Sequence, residues 1–148
     1  MSALGRTSIH FVEPGVKVNG QYYREVLLKC NLLPDIHQLS DYFIFQQDNA
    51  PAHRARDTVE VLKKEAPDFI PPTLWPPNSP GLNPVDYKIW SVMQEKVYKR
   101  HVNDMSELRE RISSLHGMNS IIDTAVSQWR TRLRACVKAL GGHFEHKL

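Results

Sequence analysis

Two aspartates fall where a predicted element ends or begins, and carboxylates so placed can do metal chemistry. Asp48 follows Tyr42-Phe43-Ile44-Phe45, a continuous apolar run with polar flanks that predicts a strand covered on both faces. Asp86 opens a stretch reaching Arg100 in which Trp90, Met93 and Val97 lie four, seven and eleven residues further on. That spacing predicts a helix with the Asp86 carboxylate in line with a buried stripe, at the first turn. A strand end and a helix start that converge at one sheet edge would let the two carboxylates share a cation. Hard divalent cations prefer carboxylate oxygens, take one or two from protein, and complete their shell with water and phosphate. Two such ions roughly 3.5–4 Å apart stabilise the attacking and leaving oxygens of an in-line phosphoryl displacement. Aspartate is also an ordinary helix cap, so position alone does not make a ligand. The neighbouring residues have to decide.

The elements that would position these acids can be read from periodicity and punctuation. Thr7 to Val12 alternates and predicts a half-buried strand, ended by the Pro14-Gly15 turn. Asn19 can cap a helix running toward Leu33 with Tyr23, Val26, Leu27 and Cys30 on one face, and Pro34 is expected to stop it. From Ala52 to Ala66, the positions Ala55, Val59, Leu62 and Ala66 predict an amphipathic helix. Phe69-Ile70 predicts a short strand, and Pro71, Pro72, Pro76, Pro77 and Pro80 an extended path after it. Asp104 and Glu107 have capping-box spacing ahead of a Leu108, Ile112, Leu115 stripe that Gly117 ends. A final helix carries Ile122, Val126, Trp129, Leu133, Cys136 and Leu140 in steps of three and four, closed by Gly141-Gly142. Trp90 and Trp129 lie on these stripes and read as core. The class is α/β with a helical C-terminal layer. So few strands would leave open sheet edges, which suggests part of a larger fold.

At 148 residues the chain suits one domain, and with 41% hydrophobic and 24% charged residues it reads as an ordinary globular sequence. No apolar run reaches the roughly 18–20 residues of a membrane helix, and the N-terminal residues lack a signal-peptide core. Cys30 and Cys136 suggest no disulfide framework, and Cys136, His143 and His146 make a poor zinc site because the last helix already uses Cys136 in its stripe. Net charge is +3, but its distribution is uneven: from Lys96 to Lys138 there are nine Lys and Arg against four Asp and Glu. Arg130, Arg132 and Arg134 around Leu133, with Lys138, would suit a phosphate backbone, and equally a solvated helix face. His53, just beyond the Asp48 turn, can reach a phosphate or a carboxylate, or can cap the following helix.

Two blocks change the weight of the two aspartates. Gln46-Gln47-Asp48-Asn49-Ala50-Pro51-Ala52-His53, and Trp75-Pro76-Pro77-Asn78-Ser79-Pro80-Gly81-Leu82-Asn83-Pro84-Val85-Asp86-Tyr87, resemble the signature blocks of mariner-type transposases of the DDE/D superfamily. The resemblance extends over nearly the whole chain. It implies a ribonuclease H-like fold, with Asp48 as the second catalytic acid and Asp86 as the third, thirty-seven residues lying between them. Mg²⁺ or Mn²⁺ would be the cofactor, held by both. DNA would be the partner, transposon ends and target alike, with a homodimer also allowed and the nucleus as the location. The activity implied is metal-dependent strand cleavage and strand transfer. Residues 1–148 are then expected to form a single, partial catalytic domain, incomplete at its N-terminal edge, because the family's first catalytic aspartate and its helix-turn-helix modules lie upstream. Asp35 and Asp41 fall in a predicted loop and do not replace that acid. Gly81 stands where the family usually has Asp in its Ser-Pro-Asp-Leu-Asn-Pro run. On this reading the chain binds nucleic acid without cutting it. The alternative is a non-catalytic DNA- or protein-binding remnant of a decayed or co-opted transposon.

Overall fold

The side chain of Asn19 starts the first helix as expected, its Oδ1 accepting the Tyr22 N–H at 2.9 Å. The computed structural model describes residues 1–2, 4–76, 79–115, 118–140 and 144. They fall into two compact units, one of residues 7–77 and one of 1–6 with 78–148.

In the unit of residues 7–77, helix α1 spans 20–39 in three stretches: Gly20–Tyr22, a π-type stretch Tyr23–Leu32, and Leu33–Leu39. Bonding five residues back, as the Leu33 N–H does to the Leu28 carbonyl, lines up positions five apart. Tyr23, Leu28 and Leu33 are accordingly the buried residues, while Val26 and Cys30, placed inside by a 3.6-residue period, are exposed. Pro34 does not stop the helix. It sits in the first turn of the last stretch, where a missing N–H is tolerated, and the helix continues to Leu39.

Strand β1 (Ile44–Phe45) pairs in parallel with β2 (Asp68–Phe69), Ile44 opposite Asp68 and Phe45 opposite Phe69, and the Ile70 N–H extends the ladder to the Phe45 carbonyl at 3.0 Å. Between them lies helix α2 (Arg56–Glu65), which buries Thr58 and Leu62. The apolar run 42–45 is covered on one face, not two. Phe43 and Phe45 pack on the Tyr23, Leu28, Leu33, Leu62 core, whereas Tyr42 and Ile44 remain 71% and 58% exposed, as period-2 alternation requires. Residues 7–12 form no strand: no ladder among the described residues reaches them. Asp35 of α1 holds them instead, accepting the Ser8 N–H at 3.0 Å and lying 3.0 Å from His10 Nε2.

In the other unit, a 3₁₀ turn (Pro80–Leu82) leads into helix α3 (85–97), a π-type turn Val85–Ile89 followed by Trp90–Val97. The wide turn, in which the Trp90 N–H bonds to the Val85 carbonyl, shifts the stripe by one position. Ile89 and Val97 are buried, Trp90 is 52% exposed, and Asp86 faces solvent instead of continuing the buried line. Helix α4 (Met105–Ser113) begins at Asp104, whose Oδ1 accepts the Glu107 N–H at 2.8 Å. The returning Glu107 carboxylate accepts from the Asn103 N–H at 2.9 Å, one residue before the cap. Helix α5 (Met118–Lys138) packs Met118, Ile122 and Ala125 against Ile89, with Val85, Tyr87 and Met93 around them. Its stripe ends before Leu140, which lies past the helix, 95% exposed, with φ +52°. Gly117, Gly141 and Gly142 lie outside the described residues. Among the described residues, no helix is long and apolar enough to cross a membrane.

Candidate metal centre and nucleic-acid interface

The loop leaving β1 turns back through a tight bend in which the His53 and Arg54 N–H groups both donate to the Ala50 carbonyl, at 2.9 and 3.0 Å. Asp48 supports that bend. Its Oδ1 accepts the Ala50 N–H at 2.9 Å and lies 2.6 Å from His53 Nδ1. The imidazole stacks at a tilt on Tyr23 of α1, ring centres 4.2 Å apart. The Tyr23 hydroxyl donates to Gln47 Oε1 at 2.7 Å, and Gln47 Nε2 donates to the His53 carbonyl at 3.1 Å. Burial, and after it the negative charge of Asp48, pushes the Tyr23 phenol well above its ordinary range, so it stays a neutral donor. Asn49 turns the other way: its Nδ2 donates to the Pro72 and Trp75 carbonyls at 3.2 and 3.3 Å, tying the Asp48 loop to the start of the second block. The Asp48 side chain is more exposed than that of His53, 39% against 25%, and no hydrogen bond from the described residues reaches its Oδ2.

Asp86 is presented differently. The Asn83 side chain accepts the Val85 N–H at 3.2 Å, and the Asn83 carbonyl accepts the N–H groups of Asp86 and Tyr87. Asp86 therefore stands in the first turn of α3, where a helix favours negative charge. What fixes this turn comes from α5. The Tyr87 hydroxyl donates to the Ala125 carbonyl, the Arg132 guanidinium stacks 3.8 Å over the Tyr87 ring, and Arg132 Nη1 donates to the Gly81 carbonyl at 3.1 Å. Gly81 is buried at that contact. Burial raises the Tyr87 phenol, with Arg132 opposing.

Asp48 thus belongs to one unit and Asp86 to the other. Among the described residues, no group of three or more His, Cys, Asp and Glu is placed to hold a metal. The donor chemistry fits a hard divalent cation nonetheless, since such ions need only one or two carboxylates from protein. Asp35 is committed to Ser8 and His10, and Cys136 is buried, while His143 and His146 lie outside the described residues.

Of the residues expected on a phosphate backbone, Arg130, Arg134 and Lys138 are exposed at steps of four along α5, one row on one face. Arg132 is half-buried and its guanidinium is taken up by Tyr87 and Gly81. His53 is turned to Asp48 instead of α2, whose N-cap, Ala55, makes no side-chain bond. A second basic group was not singled out by spacing: Lys96, Lys99 and Arg100 line an open groove of about 520 Å³ with Glu107, Glu110, Arg111 and Ser114. Arg111 is spent within it, donating to the carbonyls of Val97, Arg100 and His101 and pairing with Glu107, and so closes the end of α3. The signal in the sequence was the local excess of Lys and Arg, which does not say which of them are free.

Residues 31–109, which are 79 of the 148, match the family described as DDE superfamily endonuclease. The chain is 26% identical over 101 residues to the Transposable element Tcb2 transposase of Caenorhabditis briggsae, a match that covers 67% of this chain and 36% of the relative. It thus spans little more than a third of that curated relative. The crystal structure of the catalytic domain of Mos1 mariner transposase matches with a TM-score of 0.74 at 24% identity, over 97% of this chain and 72% of that one. The structure of Mos1 transposase catalytic domain and raltegravir with Mn matches with a TM-score of 0.73 at 23% identity, over 97% and 74%. At these identities the likeness shows the fold, the ribonuclease H-like class expected from the sequence.

Proposed function

Because the chain belongs to the DDE superfamily of endonucleases, we propose that its 148 residues supply two carboxylates, Asp48 and Asp86, to a divalent-cation centre for phosphodiester cleavage and strand transfer in DNA. The observation that carries this reading is the state of Asp48: one oxygen is tied by Ala50 and His53, and the other is left open at the end of a parallel strand. Asp86, exposed in a helix's first turn, is the second ligand. When bound, Mg²⁺ or Mn²⁺ supplies Lewis acidity and a more acidic water. The chain's own part is to hold the two acids and to receive the phosphate backbone on Arg130, Arg134, Lys138 and the Lys96, Lys99, Arg100 groove.

As a separate polypeptide the chain is proposed to bind DNA without cutting it. Two-metal transfer needs the ions fixed where the attacking and leaving oxygens will be, and among the described residues no third acid completes the cluster. The test is the purified chain with Mg²⁺ or Mn²⁺ and duplex DNA carrying terminal repeats, beside an Asp48→Ala control. The expected result is weak binding, indifferent to sequence, whose logarithm falls by roughly 0.9 per phosphate contact for each tenfold rise in salt, with no cleavage. Binding that ignores salt contradicts the interface, and cleavage that disappears in the control contradicts the inactivity.

A further inference from the structure

Three residues beside Asp48, namely Tyr23, Gln47 and His53, form a closed circuit that touches the carboxylate through His53. Tyr23 donates to Gln47, Gln47 donates to the His53 carbonyl, His53 contacts Asp48, and the Tyr23 ring covers the imidazole. From this geometry we infer that His53 is a positioning residue that fixes which oxygen of Asp48 a cation can use, and with it the kind of cation accepted. The inference rests on the metal-centre reading above.

A carboxylate oxygen has two lone-pair directions. On Oδ1 of Asp48 both are used, one by the Ala50 N–H at 2.9 Å and one by His53 Nδ1 at 2.6 Å. With Asp48 as acceptor, Nδ1 carries the proton, and the short distance is that of a charge-assisted bond. Oδ2 is left as a single-oxygen ligand. The imidazole cannot easily turn away, because Tyr23 lies on its face and its backbone is held at both the N–H and the carbonyl. Capping of α2 does not explain His53, since Ala55 is the N-cap, no side chain caps that helix, and Thr58 donates back to the Ala52 carbonyl at 2.9 Å.

The consequence is selectivity. Mg²⁺ demands near-ideal octahedral geometry and suits one-oxygen carboxylates, and Mn²⁺ shares its preference for octahedral oxygen ligands, whereas Ca²⁺ accepts two oxygens of one carboxylate. Removing the His53 donor frees one lone-pair direction of Oδ1, leaves only the Ala50 N–H to hold the carboxylate, and makes two-oxygen coordination available. Loss of an outer hydrogen-bond partner of a metal ligand typically costs roughly 10–100-fold in affinity. For His53 that loss should fall on Mn²⁺ more than on Ca²⁺.

Two variants separate this from a structural role. His53→Phe keeps a ring over Tyr23 and removes the donor, while His53→Asn places an amide N–H near the Nδ1 position and gives up the ring. Mn²⁺ and Ca²⁺ affinities are measured by calorimetry on the 148-residue chain. In parallel, NMR follows the His53 ring nitrogens and the Asp48 carboxyl carbon without metal. The expected outcome is a Mn²⁺ loss of about 10–100-fold in His53→Phe with a smaller Ca²⁺ loss, near-normal binding in His53→Asn, and a protonated Nδ1 whose signal moves in Asp48→Asn. Equal loss of both cations in both variants, or an Asp48 carboxyl signal that His53→Phe leaves unmoved, overturns the proposal. If Asp48→Asn leaves wild-type metal affinity unchanged, the metal-centre reading fails by itself, and the metal-free NMR still decides whether His53 orients the carboxylate.

Discussion

Around Asp48, the groups that touch the carboxylate lie two and five residues further along the chain, and the loop carries its own support. Around Asp86, the capping is local through Asn83, but the contacts that hold the neighbouring residues come from α5, thirty-eight residues away at Ala125 and fifty-one at the Arg132 to Gly81 bond. One acid is oriented by a short hydrogen-bonded bend, the other by the packing of a distant helix. Such sites should respond to different insults. The first depends on a few polar atoms, the second on the apolar core of α5.

The strongest way to break this contrast is Ile122→Ala. Ile122 is fully buried beside Ile89, so the change should cost about 2–5 kcal/mol in chemical denaturation. Amide exchange should rise more at residues 83–90 than at 46–54, and equal loosening of both turns would dissolve the distinction. Arg132→Ala should follow at about 1–3 kcal/mol, from the lost bond to Gly81 and the lost stacking on Tyr87. Arg132→Lys should recover little of it, because an ammonium cannot lie flat on the ring. Near-complete recovery by lysine would mean that charge alone matters there. Asn19→Ala should cost about 1 kcal/mol through the lost N-cap of α1, disturbing Tyr23 and the Asp48 bend while sparing Asp86.

The smallest effect is expected from pH. The bond to His10, and then those to Ser8, hold the Asp35 carboxyl below its ordinary range. A lowered folded value means that the contribution is fully present above the unfolded value near 3.8 and is lost as pH falls through the lower folded one. The Ser8 amide should therefore shift on acidification below about pH 4, and Asp35→Asn should remove that shift. A Ser8 amide that does not move on acidification would contradict the bond to Asp35.

How much of this was legible in the sequence depended on the range over which each feature is determined. The Asn19 cap, the Asp104 and Glu107 pair, the short second strand and the helix burying Leu62 rest on neighbours within a few residues, and pattern reading found them. The π-type turns at 23–32 and 85–89 moved Val26, Cys30 and Trp90 to the surface, because a wider turn changes the period on which the stripe was counted. Residues 7–12 alternate like a strand, yet a strand needs a partner, and alternation says nothing about whether one is there. Arg132 looked like its exposed neighbours Arg130 and Arg134, since its partners lie about forty-five and fifty-one residues earlier. The two acids were located by block resemblance. Which atoms steady them was visible only in the fold.

Asp48 and Asp86 are proposed to serve one cation centre. Calorimetric Mn²⁺ titration of the chain, of Asp48→Asn, of Asp86→Asn and of the double variant tests it directly. A shared centre predicts that either single change removes most of the affinity and that the double change adds little, a non-additive cycle as expected for coupled residues. Mn²⁺ affinity that survives either single substitution, or losses that simply add, would contradict it.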